Sequence, residues 1–270
     1  MEQLTSFKGN KKLKSMLLTE LGKHRKADQI IKGTYERYEG KEFKGCAVGC
    51  SVYSLNQKLG KNYSTSDHSA YETELGIPEW LARLEDTIFE GLPTKESQLW
   101  PERFTKAIPI GVDLNPIKYK FCAFILKENI DRVLTLKIED SLKEQVVKSI
   151  QGVLVLHENA IKTGKWDESA ESAAWSAAES ARSAAESAWS AAESAWSAAW
   201  SARSAESAAW SARSARSAQS AAQSAQSAAW SAAWSAARSA WSAARSAWSA
   251  ESAAYVKYAD ELIRLIKDTK

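Results

Sequence analysis

The sequence predicts an all-α protein: a compact N-terminal helical domain followed by a very long Ser/Ala/Trp-repeat helix, either a continuous rod or an antiparallel helical hairpin. Three observations predict it. Residues 169–254 are built almost wholly from Ser-Ala units spaced by Ala, Trp, Glu, Arg or Gln. No Gly or Pro follows Gly164, and no Leu, Ile, Val or Phe lies between Trp166 and Ala254. The first 163 residues instead show apolar residues at helical spacing, interrupted by Gly and Pro.

Ala is the best helix former and Glu, Arg and Gln follow closely, while Ser costs roughly half a kcal/mol per residue against Ala. A stretch of this composition with no breaker fits no other regular structure, and unbroken it would reach on the order of 130 Å. From Ser176 to Ser204 the Ser steps alternate 4 and 3, a heptad. Ser then forms one stripe, and Ala188, Ala191, Ala192, Ala195 and Ala198 form a second. Glu186, Trp189, Glu193, Trp196, Trp200 and Arg203 form a third. If a stripe is an interface, this repeat implies a left-handed coiled coil. The register shifts at Ser211, Ser214, Ser217 and Ser220, inside the gap between Trp210 and Trp230. That segment is the expected turn of a hairpin, and a rod paired between chains is the equal alternative.

The chain in order divides into 1–163, an all-α globular domain; 164–254, the low-complexity repeat; and 255–270, an amphipathic C-terminal helix end. Leu13, Met16, Leu17, Leu18, Leu21, Ile30 and Ile31 predict a first helix over 10–32, with Gly33 as its cap. TYERYEGKEFKG reads as a loop or small hairpin. GCAVGC then opens an amphipathic helix ending at Gly60, and glycines around two Cys suggest close backbone packing. Asp67 or Ser66 caps a helix over 68–75. Pro78 suits a helix start, so 78–90 is helical with Trp80, Leu81, Leu84, Ile88 and Phe89 inward. Thr94 caps the next piece, and Pro101 is expected to restart it. Asn115-Pro116 opens 116–134, with Tyr119, Phe121, Cys122, Phe124, Ile125 and Leu126 as core. Asp140 opens 141–163, with Leu142, Val146, Val147, Ile150, Val153, Leu154 and Leu156 buried. Leu262, Ile263, Leu265 and Ile266 give the C-terminal end an apolar face that suits docking.

At GCAVGC, DHSAYETELGIPEWLARLEDTIFEGLP and LWPERFTKAIPIGVDL the chain resembles a group of uncharacterised bacterial and phage proteins that pair such a segment with an Ala- and Trp-rich repeat. The resemblance spans roughly Lys26–Leu114. It implies the two-part layout and a bacterial or mobile-element origin, and carries no activity.

Composition narrows the function classes. The net charge is +3 over 270 residues, and three Cys with a polar Met1–Asn10 fit a reducing cytoplasmic location. No apolar window is long enough to span a membrane. The nine Trp of the repeat, Trp175, Trp189, Trp196, Trp200, Trp210, Trp230, Trp234, Trp241 and Trp248, form the expected interaction surface. A base-stacking role is disfavoured, because the repeat has no Lys and as many Glu as Arg, so no nucleic-acid partner is expected.

Few residues suggest chemistry. Cys46, Cys50 and His68 could act as a thiol site, with Asp67 or Glu72 orienting the imidazole. With His24, Cys122 or a carboxylate they could complete a zinc site, although no cofactor or metal is expected. Glu79, Glu85, Asp86, Glu90 and Glu102 contain pairs that could do acid–base work. No phosphate-binding, dinucleotide-binding or hydrolase motif occurs. The leading expectation is a non-enzymatic protein that binds itself or another protein. The alternatives are a thiol- or metal-dependent enzyme at Cys46/Cys50/His68 and an ice-binding alanine-rich helix, although the regular Thr spacing of such helices is absent.

Overall fold

Asn10 starts the first long helix because its side chain accepts from the Lys12 and Leu13 amides, satisfying donors that a helix start leaves open. The structure, a computed structural model, describes residues 4–135, 139–167 and 252–269. The nine repeat Trp, the heptad and the choice between rod and hairpin lie outside the described residues. Within them the chain is mostly helical with two short strands. By contact, residues up to Arg132 form one unit together with 154–167 and 252–269. Residues 133–153 belong to a second unit.

The helices are α1 (Lys11–Lys26), α2 (Ala47–Leu59), α3 (Ser69–Leu75), α4 (Glu79–Gly91), α5 (Thr94–Ala107), α6 (Ile117–Thr135) and α7 (Asp140–Thr163). An eighth, α8, covers 252–267. A short 3-10 turn at Ser6–Gly9 precedes them, and Phe7 of that turn is fully buried. The Ser6 hydroxyl donates to Pro109 O at 2.6 Å, tying the turn to the loop after α5.

Several boundaries depart from expectation. The first helix stops at Lys26, not 32: Asp28 takes φ +52°, and Ile30 forms a parallel bridge with Gly45. Residues 37–44 are a hairpin, β1 (Arg37–Glu39) antiparallel to β2 (Glu42–Lys44), turning at Gly40 with φ +66°. Pro101 does not restart a helix, because α5 runs through it and buries it. Pro93 and Pro78 are the residues before α5 and α4. Trp80 and Leu84 pack against the core but are half-buried, and the Trp80 indole N–H donates to Asn115.

The core joins Leu17, Leu21, Val48, Val52, Leu55, Leu75, Leu81, Ile88, Phe89, Trp100, Phe104 and Ile117. Leu262, Ile263, Leu265 and Ile266 of α8 enter the same cluster. Of the six α6 positions expected in the core only Phe121 is buried, with Tyr119, Cys122, Phe124, Ile125 and Leu126 half-buried, while α6 also buries Ile117 and Ala123. On α7, Val146, Val147, Ile150, Val153, Leu154 and Leu156 are half-buried instead of buried. Most of these lie before residue 154, where the chain rejoins the main unit.

Two lysines end helices in this core. Lys14 Nζ donates to Ile108 O at 2.5 Å and to Lys106 O at 2.9 Å, just past α5 and in its last turn. Lys32 Nζ donates to Glu90 O at 2.9 Å and to Leu92 O, closing α4 the same way. A cation suits a helix C-terminus, where carbonyls lack partners. Burial lowers both ammonium pKa values.

Candidate functional site

Helix α2 begins where the backbone of Tyr35 crosses it. Cys46 N donates to Thr34 O at 2.8 Å, and a Cβ at either Gly45 or Gly49 would overlap the Tyr35 carbonyl oxygen. The two glycines of GCAVGC are therefore required by contact with a neighbouring backbone. This close approach sets Cys46 as the N-cap of α2, with its sulfur accepting from Gly49 N at 3.4 Å. It also directs the Tyr35 ring toward α3 and α4.

There Tyr35 meets Asp86 and His68. The Tyr35 hydroxyl donates to Asp86 Oδ2 at 2.8 Å. His68 Nε2 lies 3.4 Å from the same oxygen. The Tyr35 and His68 rings meet edge-on with centroids 5.7 Å apart. The Cys46 thiol also faces this carboxylate. Burial alone would raise the Asp86 pKa, but the hydrogen bonds from His68, Tyr35 and Cys46 outweigh it and hold the carboxyl below its ordinary value. Burial and the hydrogen bond to Asp86 push the Tyr35 phenol up to about 12.

The residue before Asp86 is buried more deeply. Glu85 is fully buried on the face of α4 that carries Leu81, Ala82, Ile88 and Phe89. The Tyr71 hydroxyl lies against both Glu85 and Ser51, yet neither Glu85 oxygen nor Ser51 Oγ has a partner with full hydrogen-bond geometry. Burial pushes the Glu85 carboxyl up to about 8, with the charge of Asp86 adding to the rise. Glu85 therefore holds its proton at neutral pH.

The structure brings together only part of the expected thiol site. Asp86, not Asp67 or Glu72, accompanies His68. Asp67 instead accepts from Ser69 N at 3.0 Å at the start of α3, and Glu72 accepts from Glu79 N at 3.0 Å. Cys50 is fully buried and its thiol donates to Gly45 O at 3.4 Å, with burial pushing it up to about 12. Burial and the nearby Asp86 charge also raise the Cys46 thiol. Among the described residues no hydrogen bond joins Cys46 to His68; both meet Asp86 instead. His24 is elsewhere, bonded to Gln29 and Ser54. Among the described residues no three His, Cys, Asp or Glu side chains are grouped to hold a metal ion.

The remaining acidic candidates are spread over ion pairs and backbone contacts: Glu79 with Arg83, Glu102 with Arg25, and Glu90 with Gly33 N at 3.0 Å. No described helix is long and apolar enough to cross a membrane. No protein-family model, curated protein or solved structure matches the chain.

Proposed function

We propose that the chain is a non-enzymatic interaction protein, in which the helical core carries the Ser/Ala/Trp repeat and the repeat binds a second copy or another protein. The observation that supports this is the engagement of the reactive groups within the core. Cys46 is 1% exposed, Cys50 0% and His68 6%, and both thiols are held protonated by their surroundings. A thiol nucleophile needs the opposite, a depressed pKa and access. The nine Trp of the repeat are the surface assigned to the partner, since aromatic side chains dominate binding hot spots.

The test is capture of a tagged full chain by an immobilised full chain, beside a variant with those nine Trp replaced by Ala. Capture of the second copy, or of a defined protein from the same cells, that disappears in the Ala variant supports the proposal. No capture by either form removes it.

One observation favours a second reading, thiol chemistry at Cys46: the thiol sits at a helix N-terminus and shares a carboxylate with His68. Rapid alkylation of Cys46 in the folded protein, abolished by His68→Ala, would support it.

A further inference from the structure

Ser51, Tyr71 and Glu85 bring polar side chains of α2, α3 and α4 to one place in the core, where Ser51 and Glu85 are fully buried and Tyr71 is 2% exposed. The groups that act most on the Glu85 carboxyl are Tyr71 and the negative charge of Asp86, and neither is a cation. From α5 the Trp100 indole donates to the Glu85 carbonyl oxygen at 3.1 Å. Neither Glu85 carboxyl oxygen nor Ser51 Oγ has a partner with full hydrogen-bond geometry. No complete set of donors is therefore in place to hold a carboxylate, and a buried carboxyl without a counter-ion keeps its proton. The same Tyr71 lies within electrostatic reach of Cys46, while Asp86 meets Cys46, His68 and Tyr35.

Of the three helices, α3 is the one built to move. It has seven residues, against thirteen in α2 and thirteen in α4. His68 precedes it without a side-chain capping bond. Gly60 and Gly76 bracket the segment with φ of +64° and +62°, which glycine adopts without steric cost. Gly76 is pinned beneath the Thr5 carbonyl oxygen and serves as a fixed pivot. Between the glycines, Glu74 pairs with Lys61 at 2.9 Å and accepts from the Tyr63 hydroxyl at 2.7 Å, so residues 61–75 hold one another. A short segment with its own internal contacts is the kind that opens apart from the rest of a core.

We propose that α3 is a proton-operated gate: Glu85 with its proton keeps Tyr71 packed and α3 closed, and loss of that proton favours local unfolding of residues 61–75, which parts His68 from Asp86 and lifts Tyr71 from Cys46. The gate goes beyond both readings of function and depends on neither. Burial pushes the Glu85 carboxyl up to about 8 in the closed form. A raised value stabilises the closed form at low pH, and that stabilisation is lost as pH rises toward 8. Asp86, held below its ordinary value, acts only on the acid side of this range.

The experiment is hydrogen exchange of the full chain, resolved to single amides from about pH 5 to 9, for the intact protein and Glu85→Gln. Base-catalysed exchange alone rises about tenfold per pH unit, and an opening linked to one proton adds a further factor of about ten. In the intact chain the α3 amides should exchange faster than those of Leu17 and Leu21 in α1. They should gain about a hundredfold per pH unit up to about pH 8, and about tenfold above it. In Glu85→Gln the gain should be about tenfold throughout. His68 and Asp86 are unchanged in that variant, so the difference belongs to the buried carboxyl. A tenfold gain in the intact chain, or equal gains in the two proteins, overturns the proposal. Equal rates for α3 and α1 overturn it as well, because α3 then opens only with the whole core. Should Glu85→Gln fail to fold, Tyr71→Phe takes its place. Loss of the hydroxyl that lowers the Glu85 pKa should carry the hundredfold gain to higher pH, and an unmoved range overturns the assignment to Glu85.

Discussion

The Tyr255 ring occupies the space above Gly91, so the last residue of α4 and the first turn of α8 can pack only because position 91 has no side chain. Gly91 has no positive φ, so its requirement is steric and not conformational. Gly91→Ala should therefore displace Tyr255 and cost about 1–3 kcal/mol as overpacking, less the gain of up to ~1 kcal/mol from helix propensity. In a Tyr255→Ala background the same substitution should be neutral or stabilising. Thermal melts of the four-variant cycle check this; equal costs in both backgrounds would show that Tyr255 is not the neighbour that matters.

Gly49 and Gly152 make a contrasting pair. A Cβ at Gly49 would overlap the Tyr35 carbonyl oxygen, a backbone atom fixed by the Cys46–Thr34 contact. Gly152, inside α7, has nothing within 4 Å. Gly49→Ala should destabilise by about 2 kcal/mol or more, and Gly152→Ala should stabilise α7 locally by up to ~1 kcal/mol. Hydrogen exchange resolved by segment reads both, and a shift of the same sign at the two positions would contradict this account.

Much of the helical order was legible from residue pattern alone. Gly60 with φ +64° ends α2 where the pattern placed a stop, and the GCAVGC glycines pack closely as their spacing suggested. What the pattern missed came from tertiary contact. The apolar pair Ile30 and Ile31 extended the first helix on paper, but Ile30 is claimed by the bridge to Gly45. Pro101 reads as a restart because its missing N–H breaks a ladder bond, yet packing in α5 tolerates it. The link from His68 to Asp86 joins the residue before α3 to a residue of α4, and no local spacing encodes it. Glu85 was visible in principle, being four residues after Leu81 and three before Ile88 on an apolar face.

The thiols should differ in accessibility. Cys46 and Cys50 are buried and held protonated, whereas Cys122 on α6 is half-buried. In native protein a small maleimide should label Cys122 first, and Cys46 and Cys50 should react only at the rate of unfolding. Labelling resolved by peptide mass checks the order. Early modification of Cys46 would instead support the thiol reading.

The neighbouring acids Glu85 and Asp86 should shape the pH dependence of stability in opposite directions. The folded-state pKa of Glu85 is raised from 4.5 to about 8, so between those values the native state holds a proton that the unfolded chain has lost. Stability must then fall as pH rises through that window, by at most about 1.4 kcal/mol per pH unit, and level off above it. The Asp86 pKa is lowered in the folded state, so its contribution is present above the unfolded value and disappears as pH falls through the folded one. Glu85→Gln, which keeps the shape without the ionisation, should flatten the curve between pH 4.5 and 8 and leave the acid limb unchanged. Asp86→Asn should remove part of the acid limb and lower stability at neutral pH, since His68, Tyr35 and Cys46 then share a neutral partner. Urea midpoints from pH 3 to 9 for the three proteins separate these effects. A Glu85→Gln curve that still falls between pH 5 and 8 with the original slope would show that the buried carboxyl is not its source.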